Sequence, residues 1–286
     1  MSSRFAAVLA FIDAHTGESA SLKTLSAVAA CSPFHFHRQF SAALGMSVHR
    51  YVLLSRMKHA SYLLAFRDAM SIDDIASRCG YEAPESFARA FRQLIGASPS
   101  AFRAQPDWLE WNERFAQFFA LRSTQMNVDT HMEVELVNFP ETRVALLEHC
   151  GDPRRLNDSI ARFIDWRRRN ALPPRQSATF NLLFDDPNET PTGDFRFGLC
   201  VATARDIAPN DEGIVAFTLP AGPCARLRHQ GSDDHLEQSI RRLYADWLPQ
   251  SGRELRDFPL FLQRLRFYPE VSEQQALTDI FLPLVP

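Results

Sequence analysis

Apolar residues in the first third of the chain recur at helical spacing. Phe5, Val8, Leu9 and Ile12 fall at i, i+3, i+4 and i+7, which predicts an amphipathic helix over residues 3–15. Ser21 is the expected N-cap of a second helix running to about Ala30. Cys31-Ser32-Pro33 marks a turn and a new start, and Phe36 and Phe40 stripe a third helix. Leu53, Met57, Ala60 and Leu64 predict one long helix, about 25 Å at 1.5 Å per residue. Ile72, Ile75 and Ala76 open another short helix, which ends at Cys79-Gly80-Tyr81. Pro84 then begins a helix striped by Phe87 and Phe91, and Phe102 follows.

The pattern is written twice. Leu22 and Leu25 match Ile72 and Ile75 fifty residues on. After a one-residue insertion, Phe36, Arg38, Phe40, Gly45 and Ser47 match Phe87, Arg89, Phe91, Gly96 and Ser98. Either unit alone could be an ordinary helical hairpin. Two copies on a rigid helical spacer describe tandem helix-turn-helix units. Such a pair can place its second helices in successive major grooves, about 34 Å apart on one face of B-DNA.

Trp108, Trp111, Phe115, Phe118 and Phe119 predict a further amphipathic helix, and the polar stretch Ser123–His131 a hinge. Beyond it a second repeat appears, offset by 80. Pro140, Ala145, Leu147, His149 and Gly151 meet Pro220, Ala225, Leu227, His229 and Gly231. Each copy reads strand, turn at Pro, strand ending in His-x-Gly, then a helix, roughly Arg154–Asn170 and Asp234–Leu248. Alternating runs follow at Ala178–Phe184 and Phe195–Val201, then at Pro259–Phe267 and Thr278–Leu284. The expected fold is thus two domains, an all-α tandem helix-turn-helix followed by an α+β domain with a pseudo-twofold axis. In the latter, two sheets meet over a ligand groove. The boundaries are 1–105, a connecting helix and hinge over 106–130, and 131–286.

Charge divides along the same line. Residues 1–105 hold 11 Lys/Arg against 7 Asp/Glu, and the remainder 20 against 27. A basic module carrying an acidic one suits a nucleic-acid reader with a different partner domain. The N-terminal apolar run is broken by Asp13 and His15 and lacks a small-residue cleavage site, so a cytoplasmic protein without a membrane span is expected. Five scattered cysteines, none spaced C-x-x-C, point to reduced thiols rather than disulfides or a zinc site.

Residues 5–103 resemble the DNA-binding domain of the AraC/XylS family of bacterial transcription regulators. The resemblance rests on SLKTLSAVAACSPFHFHRQF, SRMKHASYLL and IDDIASRCGYEAPESFARAFRQLIGASPSAFR. It implies base-facing roles for Phe34, His37 and Arg38 in the first unit, and for Pro84, Glu85, Ala88 and Arg89 in the second. Helical geometry agrees, since Phe36 and Phe40 face the core and leave Phe34, His37, Arg38 and Ser41 on other faces. An arginine there can fork onto guanine O6/N7. Ser32 and Ser86, near helix starts, can serve phosphates. The alternative for Arg38 and Arg89 is a structural pairing, for example with Asp74 or Glu85. The second reading helix is poor in donors, so discrimination is expected to rest more on the first. His35 and His37 lie some 200° apart around the helix and cannot share a metal.

Residues 132–286 resemble the GyrI-like small-molecule-binding domain, through FNLLFDDPNETP, the run at 195–200, LPAGPCARLRHQG, LYADWLPQSG and LTDIFLPL. In many relatives a glutamate in a P-x-F-E segment enters the pocket and favours cationic ligands. Here Leu262 stands at that position. The repeat geometry places Trp166, Asn181, Phe197 and Leu262 near the groove. No G-x-S-x-G, H-E-x-x-H or phosphate loop is present. Asp185-Asp186 reads as a turn and Asp233-Asp234 as a helix start. Cys150 beside His149 suggests a thiol nucleophile, but Gln230 beside His229 occupies the matching place. The expected protein is a non-enzymatic, effector-responsive regulator without metal or cofactor, acting as a monomer or weak homodimer. Its partners would be duplex DNA, a small organic effector and RNA polymerase. A hydrolase fused to a DNA reader, and a constitutive reader docking a protein, are the alternatives.

Overall fold

The computed structural model describes residues 3–18, 21–125 and 133–286. The larger part of the expected hinge lies outside these. The chain forms two compact units: a helical unit of Met1–Asn127 with Tyr268–Gln274, and a sheet unit of Val128–Phe267 with Gln275–Pro286.

In the helical unit, serines start the helices. α1 spans Ser3–Ala14. Ser21 caps α2 (Leu22–Val28) by accepting from Thr24 N, and Ser32 caps α3 (Pro33–Leu44) by accepting from Phe34 N. Ser47 caps the long α4 (Val48–Phe66), and Ser71 caps α5 (Ile72–Arg78). α6 (Pro84–Ile95) lacks a side-chain cap and relies on Pro84 in its first turn. Ser98 caps α7 (Pro99–Ala104), and α8 covers Trp108–Gln125.

The two turns solve one conformational problem with different residues. Gly80 closes the α5–α6 turn at φ +78°. The repeat-equivalent residue between α2 and α3 is Ala30, held at φ 48°. A side chain in that left-handed region crowds its own backbone.

α4 forms the spine. Tyr51, Met57, Ala60 and Leu64 are fully buried along it. Phe40 of α3 meets Phe5 of α1 edge-on at 5.8 Å and Tyr51 of α4 at 6.4 Å. A ring chain from Phe87 through Phe91 and Phe102 to Trp108 joins α6, α7 and α8. Trp111 Nε1 donates to Ser61 Oγ on α4 at 2.9 Å, so α8 is part of this core.

The sheet unit is a single antiparallel sheet of eight strands. They are β1 (Val134–Phe139), β2 (Thr142–Cys150), β3 (Thr179–Leu183), β4 (Arg196–Ala202), β5 (Val215–Leu219), β6 (Gly222–Gln230), β7 (Leu260–Arg266) and β8 (Leu277–Pro283). Their order is β1-β6-β8-β7-β3-β4-β2-β5. This corrects the expectation of two sheets meeting over a groove. The β3–β7 ladder, Thr179↔Arg264 to Leu183↔Leu260, fuses the two halves into one surface.

Each half lends its first strand to the other, since β1 pairs with β6 and β5 with β2. β1 and β2 stand six places apart in the order yet are joined through Pro140-Glu141 alone. Six strand spacings of a flat sheet come to about 29 Å, whereas three Cα steps reach about 11 Å, so the sheet must roll. The enclosed face holds Phe139, Val144, Leu146, Phe180, Leu182, Phe261 and Phe281. Phe139 reaches across the roll to Phe180, Phe261 and Phe281, with centroids 4.8–6.0 Å away.

Helices cover the other face. Ala145, Leu147, Leu199 and Val201 lie under α9 (Leu156–Arg169), packed with Phe163 and Trp166. Ala225, Leu227, Leu262 and Ile280 pack with Leu236 of α10 (Leu236–Arg242) and with Leu243. The second helix is not the uniform Asp234–Leu248 helix expected. It continues as a π-turn, Leu243–Trp247, into α11 (Leu248–Ser251). Pro249 has no N–H to give to the carbonyl four residues back, which disfavours regular helix there.

Candidate nucleic-acid interface and effector face

α3 and α6 each present one polar stripe away from the core. Phe36 and Phe40 of α3, and Phe87 and Phe91 of α6, are fully buried. At 100° per residue, Phe34, His37, Arg38 and Ser41 then share the opposite face of α3, as Glu85, Ala88, Arg89 and Arg92 do on α6. Phe34 is 90% exposed, the most exposed large apolar side chain among the described residues. His37, Arg38, Glu85, Arg89 and Arg92 are exposed, while Pro84 and Ala88 are half-buried at the base of the stripe. Neither Arg38 nor Arg89 makes an ion pair or hydrogen bond among the described residues. Asp74 is engaged instead by the hydroxyl of Ser71, 2.7 Å away. Both guanidinium groups are thus available to an external acceptor.

The two predicted phosphate-serving serines differ. Ser32 is exposed but holds the α3 N-terminus, its Oγ accepting from Phe34 N at 3.3 Å. Ser86 is exposed in the first turn of α6 and its hydroxyl has no partner among the described residues.

The helical unit also holds a buried ionic cluster that hydrophobic periodicity does not announce. Asp13 of α1 accepts from Arg122 of α8, and from the hydroxyls of Tyr51 and Ser55 on α4, both at 3.0 Å. Arg122 also donates to Glu273, which takes Lys58 Nζ of α4 at 2.8 Å. The four charged side chains are all 8% exposed or less. Burial raises the Asp13 carboxyl above its ordinary value, against the lowering pull of Arg122. Glu273 belongs to Tyr268–Gln274, the connection between β7 and β8. Three further contacts seat that segment in the helical unit: Tyr268 OH to His59 Nδ1 at 3.1 Å, Glu270 to Arg67 at 2.8 Å, and Gln274 Nε2 to Ala10 O at 2.9 Å. A signal existed in the sequence. Arg122 continues the buried Trp111, Phe115, Phe118 stripe at i, i+4, i+7, i+11, a register that otherwise holds apolar residues.

In the sheet unit all four expected effector residues face the helices. Asn181 and Leu262 are direct partners across the β3–β7 seam. Trp166 and Phe197 belong to the packing under α9, so the four form a seam pair and a flanking pair. Leu262 is fully buried. Asn181 Oδ1 accepts from Arg264 Nε at 2.9 Å, and Arg264 Nη1 meets Asp233 at 2.5 Å. The seam therefore offers an amide and a neutralised guanidinium, with no unpaired carboxylate among the described residues. A separate cavity of about 300 Å³ opens at the C-terminal end of α9, lined by Trp166, Arg169, Leu172, Arg205, Ile207 and Glu212 among others.

The two histidines of the repeat are structural twins. His149 Nδ1 meets Ser159 Oγ at 2.9 Å and Nε2 meets Asp152 O at 3.1 Å. His229 repeats both contacts, with Ser239 Oγ at 2.9 Å and Ser232 O at 3.1 Å. A carbonyl can only accept, so each ring carries its proton on Nε2 and accepts the serine hydroxyl at Nδ1. Both nitrogens of His149 are thereby occupied. The adjacent Cys150 thiol contacts Glu148 at 3.5 Å, and burial together with that carboxylate raises its pKa, which disfavours the thiolate. Among the described residues no cluster of metal-ligating side chains occurs and no helix is long and apolar enough to cross a membrane.

This geometry, a tandem helix-turn-helix unit and a rolled eight-stranded sheet of two exchanged halves, agrees with the families the chain matches. Residues 132–285 match the GyrI-like small molecule binding domain, and the chain belongs to that family. Residues 25–105 match a helix-turn-helix domain. A relative from Escherichia coli K12, the probable transcriptional regulator YgiV, is 35% identical over 154 residues, 54% of this chain and 96% of its own length. The uncharacterized HTH-type transcriptional regulator YbfP of Bacillus subtilis is 37% identical over 93 residues, 32% of this chain and 31% of its own. A crystal structure of the DNA-binding domain of AdpA with a target DNA is 32% identical, covering 38% of this chain and 94% of that one, with a TM-score of 0.32.

Proposed function

We infer that this chain is a sequence-specific DNA-binding transcription regulator whose activity responds to a small organic effector held by its GyrI-like domain. The carrying observation is the pair of solvent-facing stripes on α3 and α6, each with an unpaired arginine above a phenylalanine core. A free guanidinium on a helix face is the group that forks onto guanine in the major groove. Phe34, His37 and Arg38 read bases from α3, and Pro84, Glu85, Ala88 and Arg89 approach the groove from α6. Ser32 and Ser86 serve the phosphates at the helix starts. Two readers in one chain cover two half-sites, so a monomer or weak dimer suffices, with RNA polymerase the partner through which binding acts.

The effector sits on the helix-covered side of the β3–β7 seam, against Asn181 and Leu262, with Trp166 and Phe197 on the α9 side. Leu262 in place of a carboxylate favours neutral or weakly polar ligands over cations. The chain acts by binding rather than by turnover. Selection of duplexes from a random library with the full chain, followed by affinity against salt, tests the reading. It expects an enriched motif with two half-sites and an affinity that falls steeply with salt. Failure to enrich any motif would sink it.

A further inference from the structure

The pseudo-twofold that relates the halves of the sheet passes through the seam, and the side chains it exchanges there are unlike. Asn181 of β3 and Leu262 of β7 are partners across it. Leu183 and Arg264 stand two residues beyond them, one on each strand, on the same helix-covered face. Leu183 pairs with Phe197 of β4, and Arg264 with Thr278 of β8. Phe197 pairs in turn with His149, and Thr278 with His229, so the two sites are equivalent places of the repeat. One end of the face is an apolar pair, and the other a guanidinium beside a hydroxyl. Ile160 of α9 and Ile240 of α10, also equivalent in the repeat, are half-buried, as are Leu183 and Phe197.

Arg264 is held but not saturated. Nε donates to Asn181 Oδ1 at 2.9 Å, and Nη1 donates to Asp233 at 2.5 Å and to Thr278 Oγ1 at 3.3 Å. Nη2 has no partner among the described residues, and the side chain is 16% exposed. On the guanidinium fork Nη2 shares an edge with Nε, so one of its N–H groups runs alongside the bond to Asn181. In the strand register that direction crosses the seam toward the end held by Leu183 and Phe197. Asp233, 62% exposed in the turn before α10, offsets the charge. The face thus offers one unused donor, apolar surface and no net charge.

We propose that Arg264 is the specificity-determining residue of the effector site, and that the site takes a neutral, largely apolar molecule ending in one hydrogen-bond acceptor, such as a ketone or amide oxygen. The apolar body lies on Leu183 and Phe197, and the acceptor receives the Nη2 proton beside Asn181. The unlike ends fix the orientation, since the reversed molecule would bury its acceptor against Leu183 without a donor. Asp233 sets the charge class. A carboxylate would have to share Arg264 with it, and a cation would compete with Arg264 for it. This inference rests on the effector-binding reading proposed above.

The test uses the full chain and three matched probes, 2-acetylnaphthalene, 2-isopropylnaphthalene and 2-naphthoate, with affinities read by equilibrium dialysis. The wild type binds the ketone about tenfold more tightly than either the hydrocarbon or the carboxylate. Arg264→Met brings ketone and hydrocarbon to within about twofold of each other. Asp233→Asn unmasks the guanidinium charge and raises affinity for the carboxylate about tenfold. Glu135→Gln removes the same charge from an exposed pair with Arg226 on another strand, and shifts the carboxylate by about twofold or less. Asp233 is exposed, so its variant stays readable even where Arg264→Met does not fold. Ketone and hydrocarbon bound equally by the wild type would overturn the inference while leaving an effector site on the domain. So would an Asp233→Asn protein that gains nothing for the carboxylate, or an Arg264→Met protein that keeps the tenfold preference. A wild type that binds none of the three also overturns it, and a broad thermal-shift screen without a hit then takes down the effector reading as well.

Discussion

Arg122 donates to Asp13 through one terminal nitrogen and to Glu273 through the other, although 151 residues separate it from Glu273 along the chain. One guanidinium thus closes the helical unit at both its first helix and its last segment. Replacing Asp13 with Ala takes one carboxylate from beside the buried Arg122 and removes the acceptor of the Tyr51 and Ser55 hydroxyls. The expected loss is about 3–5 kcal/mol, seen as a large drop in the denaturant midpoint. Arg67→Ala, at the half-exposed pair with Glu270, is expected to cost less than about 1 kcal/mol. Equal losses for the two variants would contradict the burial argument.

Ala30 holds a left-handed backbone where its repeat partner is glycine. Ala30→Gly relieves that strain and is expected to raise stability by up to about 1 kcal/mol. The reverse change, Gly80→Ala, adds strain and a clash. Its Cβ would stand 3.0 Å from both Arg56 Nη2 and Gly17 O. Thermal melts of the two variants should move in opposite directions.

Acid should weaken the helical unit through His59. Burial holds its pKa near about 4 against an ordinary 6.5, with Arg78 also lowering it and Glu273 pulling it back. The unfolded chain takes up the proton as pH falls through 6.5, whereas the folded chain does not until about 4. Stability is therefore full above pH 6.5, falls between 6.5 and 4, and levels off below, by an amount on the order of 3 kcal/mol. His229 shifts in the same direction, again mainly by burial. Unfolding free energies across that range for wild type and His59→Gln, whose curve should be flatter, provide the check.

On the DNA side the exposed stripe of α3 separates two kinds of contact. Arg38→Ala is expected to cost about 1–3 kcal/mol on the selected duplex. Phe34→Ala removes no charge, so it should lower affinity while leaving the salt dependence unchanged. A salt slope altered by the Phe34 change would place that residue elsewhere than at a base edge.

Much of this architecture was legible in the chain because it is written twice. The phenylalanine stripes at 36/40 and 87/91 located α3 and α6, and the 80-residue offset with the alternating runs located the strands of the sheet. The repeat placed Asn181 and Leu262 near a groove between two sheets, whereas in the structure they are partners across the seam of one sheet. Two features were not legible. The fusion of the halves into one sheet depends on the β3–β7 ladder, and periodicity does not specify a partner. The pairing of Glu273 with Lys58 and Arg122 joins residues far apart in the chain. Charges in apolar register, Lys58 and Arg122, were the only local trace of it.

The exchanged edge strands bear on how the sheet domain can be divided. A cut in the loop between β4 and β5 would leave each half holding a strand that hydrogen-bonds only within the other, β1 on β6 and β5 on β2. Each fragment alone would keep a three-stranded remnant with a phenylalanine-rich face open to water. Mixed together, the two would have every missing ladder supplied in trans. The domain is in this sense a heterodimer written on one chain, and its natural use in the laboratory is as a split reporter whose halves gain structure only on reunion.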